Sequence, residues 1–395
     1  SGGGASYFGD ISVTRRDGSN GLADSTRGVF GGGADASPGT GTNFIEYVTI
    51  ASTGDASDFG DLYYKSRGAQ GCSSPVRGVW AGTYNKPASY TNIVQYVTIQ
   101  TRGDAKDFGD LTTAQGYYGM GGATSSTRAV YGGGTYYQPS PALYVTINTM
   151  QYLTFATTGN MTDFGDLVKS SGFNGAASNQ TRGIFTGGRS DPSYTSTNSI
   201  QYITIATTGN AVDFGDLLTP TASSGSTGSS SNSIRGVFNS GDVPNNINTM
   251  SYTVISSSGG VADFGDMSYV TRDGPFGAGD NTRGVLGGSA GGPSNMGGPA
   301  GKGVNYIDYI TFATTGDSND FGDLTVARRG VGACSSPVRT VWGGGYIKPN
   351  NNTDVIDVVT TQTKGDAIKF GELTASRGHM GGASSTTRGI WYGGS

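Results

Sequence analysis

Apolar residues recur along this chain in short alternating runs. Ile45-Glu-Tyr-Val-Thr-Ile50 and Ile200-Gln-Tyr-Ile-Thr-Ile205 set β-branched and aromatic side chains against polar ones, the alternation of strands buried on one face. No stretch sustains a helical spacing. Gly, Asn, Asp and Ser bound the runs, and the strand-like pieces come in fours. The first piece reads like Ser66–Cys72 or Ser376–Ala383, the second like Thr26–Gly33, and the third is the alternating run itself. The fourth runs through a Gly-Asp-Ala-Ser element into Asp-Phe-Gly-Asp-Leu.

That pentapeptide is the anchor of the pattern. It is complete at Asp58–Leu62, Asp107–Leu111, Asp163–Leu167, Asp213–Leu217 and Asp320–Leu324, and Asp263–Met267 changes only its last residue. Degenerate copies stand at Tyr7–Ile11 and Lys369–Leu373. Successive central Phe residues are 51, 49, 56, 50, 50, 57 and 49 apart. Four strands in a period near fifty is the pattern of a propeller blade. Phe59 to Phe321, Cys72 to Cys334 and Phe108 to Phe370 are each 262 residues apart, so a multi-blade segment is duplicated.

Counting elements gives the expected architecture. The first, second and fourth pieces occur eight times and the third is clear seven times. Residues 1–395 therefore read as one all-β domain, a single β-propeller of four-stranded blades. Eight blades are expected, seven being the alternative. The two termini pair to close the ring, with residues 1–11 and 374–395 sharing the last blade. The connections between second and third strands, at 34–44, 82–92, 135–148, 188–198, 239–247, 287–304 and 346–353, vary in length and carry most prolines and many tyrosines.

Composition narrows the class. With 34% hydrophobic residues in alternating order and 14% charged, the chain has the apolar content to fold. A net charge of −4 speaks against nucleic acid, which wants a basic face. No apolar run approaches a membrane span, and no signal-peptide pattern opens the sequence. Cys72 and Cys334 occupy matching Cys-Ser-Ser-Pro-Val-Arg contexts and are expected to be too far apart to bridge.

Charged residues repeat with the period. Arg27, Arg77, Arg128, Arg182, Arg235, Arg283, Arg339 and Arg388 hold one place in the second strand. Asp10, Asp61, Asp110, Asp166, Asp216, Asp266, Asp323 and Glu372 follow each Phe-Gly. Structural Arg–carboxylate pairs are the expectation, because every repeat carries both members. Trp80, Trp342 and Trp391 take the place of Phe30, Tyr131, Phe185, Phe238 and Leu286, which suits an apolar wedge between blades. A lone histidine, His379, cannot supply a two-His metal site. The acidic loops Gly54–Asp58 and Gly316–Asp320 match no calcium motif and suit turn chemistry instead. No metal, cofactor or catalytic residue is expected, and the chain reads as a non-enzyme. Tyr84, Tyr90, Tyr136, Tyr137, Tyr194 and Tyr346 in the variable connections, with Tyr63 and Tyr64 between fourth and first strands, are candidate ligand-binding residues. Aromatic rings in polar loops suit sugar or protein surfaces.

The order Arg-Gly, Arg-Gly-Val-Phe-Gly-Gly, alternating third strand resembles kelch-type repeats. The wording of residues 200–217, Ile-Gln-Tyr-Ile-Thr-Ile-Ala-Thr-Thr-Gly-Asn followed by Ala-Val-Asp-Phe-Gly-Asp-Leu, is similar to repeats in virion structural and tail-fibre proteins of marine tailed phages. This resemblance implies a virion protein, located in the extracellular particle, with other virion proteins as partners. It further implies recognition of a host-surface glycan or protein through the variable loops. A kelch-like polysaccharide-active enzyme, and a bacterial surface or secreted carbohydrate-binding module, are the alternatives.

Overall fold

A computed structural model describes residues 21–24, 26–33, 40–49, 55–85, 89–113, 119–139, 142–172, 174–190, 195–221, 229–232, 234–238, 247–254, 256–257, 261–271, 276–290, 303–347, 351–373, 375–378, 381–384 and 389–392. The chain resolves into two compact units, one of Gly9–Gly215 and one of Asp216–Ser395 with Ser1–Phe8. All regular structure among the described residues is β. Six sheets have four strands and one has five, each built antiparallel in the expected order, two of them passing over a separate two-stranded ribbon, and a two-stranded sheet, Gly381–Ser384 with Gly389–Tyr392, follows the last. The sheet of Leu22–Ala23, Arg27–Gly31, Thr42–Thr49 and Ser57–Ser66 is representative. We number the repeats by these sheets in chain order. The N-terminal strand near Phe8, and with it the expected pairing of the termini, lies outside the described residues, as do Asp10, Arg388 and His379.

A short hairpin joins first to second strand, and the sequence caps it locally. The side chains of Asp24, Ser74, Ser125, Asn179, Asn232, Asp280 and Ser336 each accept the N–H of the second-strand Arg three residues on. This is the side-chain turn that Asx and Ser residues form. The second strands are apolar and buried, with Val29, Val79, Val130, Val237 and Val285 fully enclosed. Trp80, Phe185 and Trp342 are wedges between sheets, as expected: a Cβ on Gly31, Gly132 or Gly287 of the preceding repeat would come within 2.8, 3.0 or 3.2 Å of these rings. Cys72 and Cys334 are buried and unbridged. Burial pushes the Cys72 thiol up to about 12.

Among the described residues, the Arg–carboxylate pairing expected within each repeat does not form at Arg27, Arg77, Arg128, Arg235, Arg283 or Arg339. Arg27 stands opposite Thr49 and Asp61 opposite Phe44, five residues along the same third strand, or roughly 17 Å. The same offset separates Arg77 from Asp110, Arg128 from Asp166, Arg235 from Asp266, Arg283 from Asp323 and Arg339 from Glu372. The guanidinium groups of Arg27, Arg77, Arg128, Arg235 and Arg283 donate instead to carbonyls of the next repeat, those of Ile99, Phe155, Ile205, Phe312 and Thr361, at 2.6–3.1 Å. Each also lies 4.3–4.9 Å from the ring centroid of its own third-strand tyrosine, Tyr47, Tyr96, Tyr152, Tyr252 or Tyr309, and Arg182 does the same on Tyr202. A cation over an aromatic face is favourable without a counter-charge. The tyrosine in turn meets the motif Phe edge-on, as Tyr47 meets Phe59 at 5.7 Å. Arg339 lacks this bed, because Val358 holds the tyrosine place, and it is exposed. Glu372 pairs with Lys369 on the surface.

The Asp-Phe-Gly-Asp element is a main-chain clamp. The carbonyls of Phe59 and Asp61 accept the N–H groups of Gly103 and Ala105 in the next repeat, each at 2.7 Å, and the Asp61 N–H donates to the Asp104 carboxylate at 3.0 Å. The same three bonds recur at Asp110, Asp166, Asp266 and Asp323, with Asn160, Asn210, Asp317 and Asp366 as acceptors. Gly60 sits at φ +143, and a Cβ there would lie 2.5 Å from the Gly103 carbonyl carbon. The clamp uses only the main-chain atoms of this residue, and Asp61, Asp166, Asp216 and Asp266 leave their carboxylates at the exposed surface.

A second tie was not anticipated. The residue before the third-strand tyrosine position is polar yet buried in every sheet: Glu46, Gln95, Gln151, Gln201, Ser251, Asp308 and Asp357. Gln95, Gln151, Gln201, Asp308 and Asp357 accept main-chain N–H groups of the preceding repeat just past its motif, those of Tyr64, Thr112, Val168, Ser268 and Thr325. Asp357 also forms a fully buried ion pair with Arg328 at 3.0 Å. Burial lowers the Arg328 pKa, and Asp357 opposes that shift. A buried carboxylate so bonded avoids the cost of an unpaired charge.

Candidate recognition face

In repeats 1, 3, 4 and 7 the second strand runs into a Gly-Gly pair of positive φ, and that pair sets the path of the chain beyond it. Gly133 and Gly134 lie at φ 71 and 122, Gly187 and Gly188 at 58 and 95, and Gly344 and Gly345 at 60 and 108. Left-handed backbone of this kind is open to glycine at little cost. It turns the chain out of its sheet, and the carbonyls of Gly134, Gly188 and Gly345 receive the returning strand through the N–H groups of Ile147, Thr197 and Thr353. Beyond this gate the connections of repeats 3, 4 and 7 form ribbons, and repeat 2, with Ala81-Gly82-Thr83 at that place, makes one by extending its own strands. In repeat 2 the long strands Arg77–Asn85 and Ser89–Thr98 pair Tyr84 with Tyr90 near the tip. In repeat 3, Thr135–Pro139 pairs with Ala142–Thr146. In repeat 4, Arg189–Ser190 pairs with the start of Thr195–Thr204. In repeat 7, Tyr346–Ile347 pairs with Asn351–Asn352.

The tyrosine candidates separate under this geometry. Tyr63 and Tyr64 lie inside the strand Ser57–Ser66, not in a connection. A bulge opposite Ile45 and Glu46 and a second register shift let that strand run on until Ser66 faces Thr42. Tyr63 is exposed, while the Tyr64 main chain is held by the Gln95 amide. Tyr136 packs its ring on the core formed by Val79, Leu111 and Tyr131, which makes it structural. Tyr137 meets Tyr144 across the ribbon, rings 5.4 Å apart and edge to face. Tyr346 lies under the Arg329 guanidinium and fills the space left by Gly378. Tyr194 lies outside the described residues. Leu143 and Tyr144, 38% and 49% exposed, were missed; alternation through 142–146 is the sequence signal that would have found them.

Repeats 3 and 4 bring two ribbons to one segment. Gly172 pairs with Arg189 through both main-chain bonds, at 2.9 and 2.8 Å. On its other side Gly172 abuts the buried Thr135, whose hydroxyl a Cβ on Gly172 would strike. Beside this junction the Thr146, Ser170 and Ser190 hydroxyls form a row, with steps of 3.0 and 3.4 Å. Tyr144 and Thr146 share a ribbon face, since strand side chains alternate. Among the described residues, no group of three or more His, Cys, Asp or Glu is placed to hold a metal ion. No family model matches the chain and no curated protein matches it. At the junction of repeats 3 and 4 the exposed Tyr144 ring and the three hydroxyls stand near Arg189.

Proposed function

We propose that the chain is a non-enzymatic recognition scaffold: an eight-bladed β-propeller, its last blade completed by the N-terminal strand, serving as a structural or tail-fibre component of a phage particle. The observation that carries this reading is the contrast between sheets and connections. The same caps, arginine beds and glycine clamps recur in repeat after repeat, while the ribbons beyond the second strands differ in length and sequence. A rigid frame with variable projections is where binding sits. The similarity of residues 200–217 to phage virion repeats supports the particle setting.

Binding of host envelope by the wild-type protein, compared with a Tyr84→Ala, Tyr90→Ala, Tyr137→Ala, Tyr346→Ala variant, tests this. Capture by the wild type and its loss in a folded variant are expected. Unchanged capture by the variant would move recognition off the ribbons. Wild-type protein that ignores host material but assembles with virion proteins would remove the recognition half and keep the structural one.

A further inference from the structure

We infer that the seam between repeats 5 and 6 is a proton-dependent joint, tight when the Asp308 carboxyl is protonated and loosened when it is ionised. The basis is one buried place in the third strand and what each repeat puts there. Repeats 2, 3 and 4 use Gln95, Gln151 and Gln201. A neutral amide reaches the main chain of the preceding repeat without bringing in charge. Repeat 7 uses Asp357 and sets the Arg328 guanidinium against it at 3.0 Å. Repeat 6 uses Asp308, 1% exposed, and gives it neutral donors only. The Ser268 N–H and hydroxyl donate to it at 2.8 and 2.7 Å, and the Ser318 hydroxyl donates to the same carboxylate.

A buried carboxylate held by neutral donors keeps part of its desolvation cost. Among the described residues no cation faces Asp308. The ionisable side chains around it are Asp266 and Tyr269 on the fourth strand of repeat 5, Tyr306 and Tyr309 on its own strand, Asp317 beside Ser318, and Asp320 directly opposite on the fourth strand of repeat 6. The second strand sets Leu286 opposite it. Arg283 and Arg328 stand opposite Thr311 and Val304, three and four residues along the strand, and serve the Thr361 carbonyl and Asp357 instead. Burial raises the proton affinity of Asp308, its donors lower it, the Asp320 charge raises it, and the rise prevails. Protonation leaves the network intact, because serine hydroxyls accept as well as donate. The native state therefore holds this proton more tightly than the unfolded chain. The joint is at full strength below the ordinary carboxylate range and loses strength as pH rises through the Asp308 value.

Amide exchange of the full chain between about pH 4 and pH 8 tests this. Protection of the Ser268 N–H, taken against its intrinsic rate at each pH, is expected to fall about threefold or more as pH rises. The Thr112 N–H, bonded at the equivalent place by Gln151 at 2.8 Å, should stay level. Asp308→Asn should keep Ser268 protected throughout, as the amides do in repeats 2 to 4. Asp320→Asn should move the fall to lower pH. Asp320 is exposed, so its variant carries the test even where Asp308→Asn fails to fold. One pH course for Ser268 and Thr112 would overturn the joint, and so would a Ser268 fall that Asp308→Asn or Asp320→Asn leaves unmoved. Protection that rises with pH would show that the charge itself tightens the seam, and would overturn it too.

Discussion

At the scale of single residues, glycine performs the joining that the repeated acidic and basic residues suggest for themselves. Gly60 and Gly103 both have left-handed backbone, φ +143 and +147, but only Gly60 has backbone of the next repeat against its missing side chain; nothing lies within 4 Å of a Cβ on Gly103. The pair therefore separates backbone strain from collision. Gly103→Ala should cost the strain alone, about 1–2 kcal/mol. Gly60→Ala should cost strain plus the disrupted clamp, about 3–4 kcal/mol. Chemical unfolding of the two variants side by side checks this, and equal midpoints would mean that the clamp contributes nothing. The arginines show why partners are hard to read from type alone. Eight arginines and eight acids with one period invite pairing, yet a five-residue offset on the shared third strand keeps them apart, and a ring and a carbonyl satisfy the cation instead.

At the scale of elements, the strands were legible because their alternation and their turn residues are local signals. Strand lengths were less so. The fourth strand was expected to stop at the motif, but register shifts carry it past Tyr63 and Tyr64 in repeat 1. The connections were expected as variable loops, but a Gly-Gly gate starts a second, independent pairing. That independence makes a prediction. The N–H of Ile147 already bonds to the Gly134 carbonyl, so replacing Thr135–Thr146 by an Asn-Gly turn should leave sheet 3 folded. The loss should come from the packing of Tyr136 and Thr135 and from the Thr146–Ser170 bond, about 2–3 kcal/mol. Circular dichroism and denaturant titration of the excised protein check this, and a chain that no longer folds would place the ribbon in the core.

At the scale of the whole molecule, each unit is held by ties between successive repeats that pair polar groups: Arg to carbonyl, motif to turn, third-strand amide or carboxylate to main chain. Such nearest-neighbour ties make a series of repeats mutually dependent. The proposed ring adds one more interface, between the N-terminal motif copy and the last second strand. Spin labels placed at Ser12 and Thr386, with Cys72 and Cys334 buried and unreactive, should report a separation within about 25 Å, since four strands spaced by about 4.8 Å span one blade. A single distribution centred beyond about 40 Å would leave the array open and remove the propeller.

By itself the sequence determined what local physics can carry: strands in repeating fours, their order, turns at the residues that bound them, the aromatic wedges, and two cysteines in equivalent places that do not bridge. Each comes from alternation, from turn chemistry or from equivalence within the period. Only the tertiary structure decided who meets whom between repeats. Arg283 finds the Thr361 carbonyl 78 residues away, Asp357 finds Thr325 and Arg328, and Thr146 finds the Ser170–Ser190 hydroxyl row. Those choices depend on how far one sheet is displaced against the next, and a displacement of that kind leaves no trace in the alternation of either strand.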